Sequence, residues 1–334
     1  MHKPEVLITG ASGEIGQSLL KALAEEGRYD LVALDLKEPP PELVSKCKVF
    51  YRGNIMDRVL TSEIDVKHRF EQIFHLAGLL STMGEKNPKL AHEVNVEGSL
   101  RILDIAQRHS NQMGKPVVML FSSSIAVYGL EKEDDRNLPV TERQYLTPTT
   151  MYGINKLYIE QLGRYYSECY RCTEGSRRLD FRCLRFPGLI SPETLPAGGT
   201  SDYGPEMLHA AARNLPYACF VAPETRLPFM VMPDAVKALV SLSRAPGERL
   251  QNRIYNVTSF SVTAAEIREM VLKFFPNAEL SFKVDPMRQA IVQTWPERVD
   301  DEPARRDWDW LPDYGFENAF SSLLIPKIKD RYGI

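Results

Sequence analysis

No run of residues in this chain is apolar for long enough to cross a bilayer, which excludes a spanning helix. Charge of one sign is also lacking. The 41 Lys and Arg nearly balance the 44 Asp and Glu, and a net charge of −3 draws the chain neither to nucleic acid nor to an anionic membrane. Cysteine is scarce: Cys47, Cys169, Cys172, Cys183 and Cys219 are odd in number and do not have the spacing of a disulfide framework. Cys169 and Cys172 form one Cys-x-x-Cys with no second pair and no histidine cluster, so no metal is expected. There is no internal repeat and no low-complexity tract. The first apolar segment begins within a few residues of Met1, too soon for a signal or transit peptide. These absences leave the expectation of a cytoplasmic globular protein with reduced thiols. A length of 334 residues at 43% apolar content suggests a large domain with a smaller lobe.

What is present begins at Glu5. The apolar run Glu5–Thr9 leads into Gly10-Ala-Ser-Gly13-Glu-Ile-Gly16, and an apolar-periodic helix follows. This is the strand, glycine-rich turn and helix of a dinucleotide fold, with Gly-x-x-Gly-x-x-Gly spacing. Gly10 permits the tight turn, Gly13 lets the backbone approach a diphosphate, and Gly16 lets helix and strand pack closely. An anion is favoured at the helix N-terminus, where N–H groups are unpaired. The next strand, Leu31–Leu36, contains Asp35. An acidic residue about 20 positions on accepts ribose hydroxyls and repels a 2′-phosphate, so Asp35 favours NAD over NADP.

Strand and helix then alternate. Strands are expected at Lys48–Tyr51, Gln72–Gly78 (running into a glycine turn), Pro116–Phe121 and Asp180–Phe186, and helices at Ala91–His109 and Met151–Tyr170. The alternation implies an α/β fold, a doubly wound parallel sheet with helices on both faces. Ligands of such sheets bind beyond the carboxyl ends of the strands. Gly10, Gly78, Ser122–Ser124 and Pro187-Gly188 all fall there. After Gly188 the pattern changes: Ser191–Tyr203 reads as a loop, Glu206–Arg213 and Asp234–Ser243 as helices, and Arg253–Val257 as a strand. Thr263–Phe275 reads as a helix with Thr263 and Glu266 as a capping box. The tail from Phe282 is expected to be mostly irregular.

Tyr152 and Lys156 are four apart and share one face of their helix. The ammonium can hold down a phenol whose ordinary pKa is about 10, making it a usable base. Alone the spacing is ordinary on solvated helices. Beside a dinucleotide turn it points to proton transfer.

Five motifs carry a resemblance over nearly the whole chain: Thr9–Gly16, His75-Leu-Ala-Gly78, Asn95 in Val-Asn-Val-Glu-Gly, Ser122–Gly129, and Tyr152-Gly-x-x-Lys156. Together they resemble the extended short-chain dehydrogenase/reductase superfamily. The resemblance implies a Rossmann sheet of about seven strands, bound NAD and a Ser–Tyr–Lys catalytic group. Phe186–Ser191, Pro196–Tyr203, Arg288-Gln-Ala and Thr294-Trp-Pro296 narrow it to the short-chain, zinc-free type of L-threonine 3-dehydrogenase. In that family the loop at Pro196 reads Pro-Gly-Gly-Gly-Thr-Thr-Asp-Tyr. Here Ala197 and Ser201 depart from it, and Asn54-Ile55 stands where an Asp-Ile pair meets adenine.

The resemblance implies oxidation of the 3-hydroxyl of L-threonine to 2-amino-3-oxobutanoate. Tyr152 is then the general base, Lys156 its partner and a holder of the nicotinamide ribose, and Ser124 a donor to the reacting oxygen, with Ser123 the weaker candidate. NAD is expected to meet Gly10, Ser12, Gly13, Glu14, Ile15, Gly16, Asp35, Leu36, Lys37, Asn54, Ile55, Leu76, Ala77, Gly78, Asn95, Tyr152, Lys156, Phe186 and Pro187. A zwitterionic substrate is expected to meet Ser81, Ser124, Tyr152, Gly188, Thr200, Ser201 and Asp202, with Trp295 closing the pocket. Residues 1–187 and about 229–258 are assigned to the NAD domain, and about 188–228 and 259–334 to the substrate lobe. A homodimer through the two long helices is implied. The alternatives are another β-hydroxy amino acid as substrate, a nucleotide-sugar epimerase or dehydratase, and a non-catalytic NAD sensor. Arg185 is followed by Phe186-Pro187-Gly188 with no Asn, against a sugar diphosphate, and a mere sensor has no need of Ser124, Tyr152 and Lys156 together.

Overall fold

The computed structural model describes residues 3–131, 138–170, 179–196 and 198–334. Among the described residues the strands are β1 (Glu5–Thr9), β2 (Asp30–Asp35), β3 (Val49–Arg52), β4 (Phe70–His75), β5 (Val118–Ser124), β6 (Asp180–Phe186), β7 (Gly188–Ile190), β8 (Tyr217–Cys219), β9 (Arg226–Val231), β10 (Ile254–Asn256), β11 (Phe260–Thr263) and β12 (Leu280–Phe282). Seven form one parallel sheet in the order β10-β6-β5-β4-β1-β2-β3. Side chains alternate along a strand. Val6 and Ile8 therefore enter a core layer with Leu19, Leu239 and Trp308, while Leu7 enters the opposite layer with Ile73, Phe121 and Phe181. Burial of both faces is what a doubly wound parallel sheet requires. The smaller sheets β11-β9-β7 and β12-β8 lie outside the main sheet, over a third core built on Tyr203, Phe229, Ile267 and Phe320.

The helix Met151–Arg164 starts where Thr150 accepts from Gly153 N at 3.1 Å. The expected capping box of Thr263 and Glu266 is formed. Three expectations are corrected. The stretch expected as one helix over Ala91–His109 is Pro88–His92, a wider π turn Glu93–Gly98, and Ser99–Met113. The helix expected over Met151–Tyr170 ends at Arg164 in a second π turn, Tyr165–Cys169. The tail is largely helical: Pro286–Val292, Glu302–Trp308, Phe316–Asn318, Ala319–Leu324 and Ile325–Tyr332. Pro286 and Pro303 stand in first turns, where a proline loses no helical hydrogen bond, and Pro326 directly follows the wider turn Ala319–Leu324 within one helical run. Read as breakers, they hide these helices. Trp308 and Trp310 are core residues.

Candidate active site

The carboxyl ends of the central strands open on a cavity of about 490 Å³. Its floor is the glycine-rich turn. Gly10 has φ +73°, and a side chain there would strike Ala77 N at 2.6 Å. One at Gly16 would strike Gly10 O at 2.1 Å. Gly13 caps the helix Glu14–Glu26 without a side-chain acceptor, so the first N–H groups of the helix remain open to a ligand. Smooth backbone at a helix N-terminus suits a diphosphate. Asp35, at the end of β2, accepts from Ser12 N at 2.9 Å and Lys37 N at 3.1 Å. The Ser12 hydroxyl donates to the Lys37 carbonyl. Ser12 and Lys37 thus brace Asp35 rather than line the cavity. Leu36, Asn54 and Ile55 line it beside Asp35, and Glu14, Ile15, Leu76, Ala77, Gly78, Phe186 and Pro187 line it further along. Asn95 is buried behind this wall. Its amide holds Leu79 through both backbone groups, at 2.7 and 3.1 Å. The residues present fit a nicotinamide dinucleotide.

At the far end Ser124 and Tyr152 line the cavity together, and the Ser124 hydroxyl acts on the phenol. Lys156 is buried. Its ammonium donates to the Ser122 carbonyl at 2.5 Å and lies 5.4 Å from the Tyr152 ring centre. Burial pushes the phenol up to about 12, against the lowering influence of the Ser124 hydroxyl. Burial pulls Lys156 down to about 8. The lowering influence on the phenol comes from Ser124 and not from Lys156, so the expectation that Lys156 depresses the Tyr152 phenol is not met in this arrangement.

The two serine candidates separate. The Ser123 hydroxyl donates to Glu160 at 2.5 Å, and Glu160 takes a bidentate pair from Arg185 at 2.8 and 2.6 Å. Ser123 belongs to that buried network, and Ser124 to the phenol. His75 bonds Thr9 and Ser99, each at 2.7 Å, and burial lowers it to about 3, so it is a neutral packing residue.

The opposite wall is the loop Ser191–Asp202. Thr200 and Ser81 hydroxyls meet at 2.9 Å. Ser201, Gly188 and Trp295 line the cavity beside them. Asp202 also lines it, but one carboxylate oxygen accepts from Gly198 N at 2.9 Å and Gly199 N at 2.6 Å. Ala197 lies outside the described residues. So does Cys172, while Cys47, Cys169, Cys183 and Cys219 are unpaired. Among the described residues no cluster of His, Cys, Asp or Glu is placed to hold a metal, and no helix is long and apolar enough to cross a membrane.

Two contributors went unread in the sequence. Glu160 lies four residues beyond Lys156 on the same helix face, a spacing that contained the signal. Thr194 donates to Glu14 at 2.7 Å across 180 residues of chain, and no local pattern announces such a contact.

A dinucleotide seat beside a Ser–Tyr–Lys group, at the carboxyl edge of a seven-stranded parallel sheet, defines a nicotinamide-dependent oxidoreductase. A model of the NAD dependent epimerase/dehydratase family matches residues 6–258, and the chain belongs to that family. It is 37% identical to the mitochondrial L-threonine 3-dehydrogenase of Bos taurus, over 96% of this chain and 81% of that protein. Among solved structures, the GalE-like L-threonine dehydrogenase of Cupriavidus necator in its holo form superposes with a TM-score of 0.84 at 34% identity, covering 97% of this chain and 99% of the other. A monomeric L-threonine 3-dehydrogenase from a metagenome, in its apo form, gives 0.83 at 35% identity, covering 97% and 99%.

Proposed function

We propose that this enzyme oxidises the 3-hydroxyl of L-threonine to 2-amino-3-oxobutanoate with NAD. The observation that carries the reading is that Ser124, Tyr152 and Lys156 line one cavity together with a wall of small polar side chains at Ser81, Thr200 and Ser201. That wall fits a small zwitterion. Bound NAD supplies the acceptor for the hydride that leaves C3. Tyr152, as phenolate, takes the hydroxyl proton, and Ser124 donates to the same oxygen. Lys156 holds its place on the Ser122 carbonyl and offers its remaining protons to the nicotinamide ribose. Asp35 takes the adenosine ribose, and the open N–H groups after Gly13 take the diphosphate. The substrate ammonium and carboxylate fall to the Ser81–Thr200–Ser201 wall. Asp202 contributes the loop's shape and a negative field, and Trp295 closes the pocket. The chain divides, on this reading, into an NAD domain of residues 1–187 and about 229–258 and a substrate lobe from the rest.

Arg185 speaks against a sugar diphosphate, since its guanidinium is committed to Glu160, Tyr128 and the Glu142 carbonyl. The unpaired thiols support a reducing, cytoplasmic setting. Exposed Leu100, Ile154, Tyr158 and Tyr165 on the two long helical segments support a homodimer, in contrast to the monomeric relative. Sedimentation equilibrium at micromolar protein decides the oligomeric state, and a monomer there refutes the dimer.

The activity is tested by NADH appearance with purified protein, NAD and L-threonine, with UDP-galactose interconversion run in parallel. Threonine-dependent reduction, weaker with NADP, is expected. Sugar interconversion without reduction overturns the reading. Tyr152→Phe is expected to retain NAD binding and lose turnover by roughly 10²–10⁴-fold. Full activity in that variant removes Tyr152 from the base role.

A further inference from the structure

Glu14 is an acidic side chain that shares a helix N-terminus with the anion the seat would hold. It is the first residue of the helix whose N-terminus faces the diphosphate seat, and it lines the cavity. A full negative charge there opposes a bound diphosphate. Its carboxylate is joined to the other side of the cleft, where Thr194 Oγ1 donates to Oε1 at 2.7 Å. Thr194 belongs to the loop that continues into Thr200, Ser201 and Asp202. The neighbouring Glu193 ties that loop to the C-terminal helix through Lys327 at 2.5 Å and through its carbonyl to Arg331. The loop is therefore anchored on two sides, by the C-terminal helix and by the glycine-rich turn.

We propose that Glu14 is a positioning residue that couples dinucleotide loading to the substrate loop, admitting the diphosphate in its uncharged form while keeping Thr194 in place. The inference rests on the NAD reading above. The charged surroundings favour the uncharged form. Asp202, from the loop's end, is the charged group acting on Glu14, and it is negative. Lys21, two turns along the same helix, acts on Glu193, as do Lys327 and Arg331. Burial foremost, offset in part by the Thr194 bond, brings the carboxyl to about 7. A second negative charge arriving at the seat raises it further. Binding of NAD then takes up a proton wherever the free carboxyl is ionised, so affinity is highest below about pH 7 and falls as pH rises above it, by at most about tenfold per unit.

The test is NAD binding by titration calorimetry between about pH 6 and pH 9, in buffers of different ionisation heat, on wild type, Glu14→Gln and Thr194→Val. Wild type is expected to take up a fraction of a proton and to lose affinity at alkaline pH. Glu14→Gln is expected to lose the proton uptake and the fall in affinity that begins near pH 7, keeping only the later change due to Lys156 near pH 8, and to bind more tightly than wild type at about pH 9. Thr194→Val removes a bond that favours the charged form, so its loss of affinity begins at higher pH. Proton uptake absent in wild type overturns the proposal, and so does a wild-type pH profile retained in Glu14→Gln. If wild type fails to bind NAD at every pH, the cofactor reading itself falls, and this inference with it.

Discussion

Ser123 and Ser124 are neighbours on β5 and do unrelated work. Successive side chains of a strand point to opposite faces. One hydroxyl therefore meets Glu160 in the interior, and the next meets the Tyr152 phenol at the cavity. Ser124→Ala is expected to lower kcat by about 10²-fold or more while NAD binding survives. Ser123→Ala is expected to lose far less activity but to destabilise the fold by about 1–2 kcal/mol, since Glu160 loses a buried donor. Urea unfolding and steady-state kinetics on the two variants separate these outcomes, and equal kinetic losses would refute the division. The rate should also carry the phenol's signature. Burial holds Tyr152 at about 12, so its base form is scarce at neutral pH, and kcat/KM for threonine is expected to rise as pH increases from about 7. A profile that falls over that range contradicts Tyr152 as the base. The pair Tyr152/Lys156 was legible in the sequence because one helix sets its spacing. Which serine joins it was legible only in principle, through strand alternation. The pKa order was not legible, because desolvation depends on what the fold packs around the group.

At the scale of elements, the site depends on one helix lying directly on one turn. A Cβ at Gly16 would stand 2.1 Å from the Gly10 carbonyl oxygen, a backbone atom that has no rotamer to yield. Gly16→Ala is therefore expected to push the helix Glu14–Glu26 off its seat, weakening NAD binding more than tenfold and costing about 1–3 kcal/mol. Calorimetry and thermal unfolding check both, and unchanged NAD affinity would show that the turn tolerates the shift. The glycines and the βαβ order were readable because local geometry demands them. Elsewhere the reading failed for physical reasons. Pro286 and Pro303 look like breaks but open short helices, and Pro326 is carried inside one by the wider turn before it. The π turns at Glu93–Gly98 and Tyr165–Cys169 leave no mark in an apolar period, yet the first carries Asn95 onto Leu79. The contact of Thr194 with Glu14 joins residues whose proximity only the folded chain creates.

Across the whole molecule, the two ends of the main sheet divide chemistry from stability. The carboxyl end holds the cavity. At the amino end of β1 the buried carboxylate of Glu5 accepts from Lys48 at 2.8 Å, from Arg69 N at 2.8 Å and from the His68 ring at 3.2 Å. His68 stacks on Phe70, and Phe70 on His109, so the polar cluster adjoins the core. Burial alone would raise Glu5, but these donors bring it down to about 2. A carboxyl whose folded pKa lies below its unfolded value of 4.5 stabilises the protein above that value, and the contribution is lost as pH falls from about 4.5 to about 2. The shift corresponds to about 3 kcal/mol at neutral pH. Glu5→Gln should therefore lower unfolding stability by about that amount at pH 7, while the gap between variant and wild type closes as the pH drops through the same window. Because the cluster lies at the opposite end of the sheet from the cavity, NAD affinity at neutral pH is expected to be unchanged. Urea unfolding at about pH 7 and about pH 3, with NAD binding measured alongside, checks the separation. A gap that stays constant with pH would place the effect in packing rather than charge, and a loss of NAD affinity would show that the two ends of the sheet are coupled.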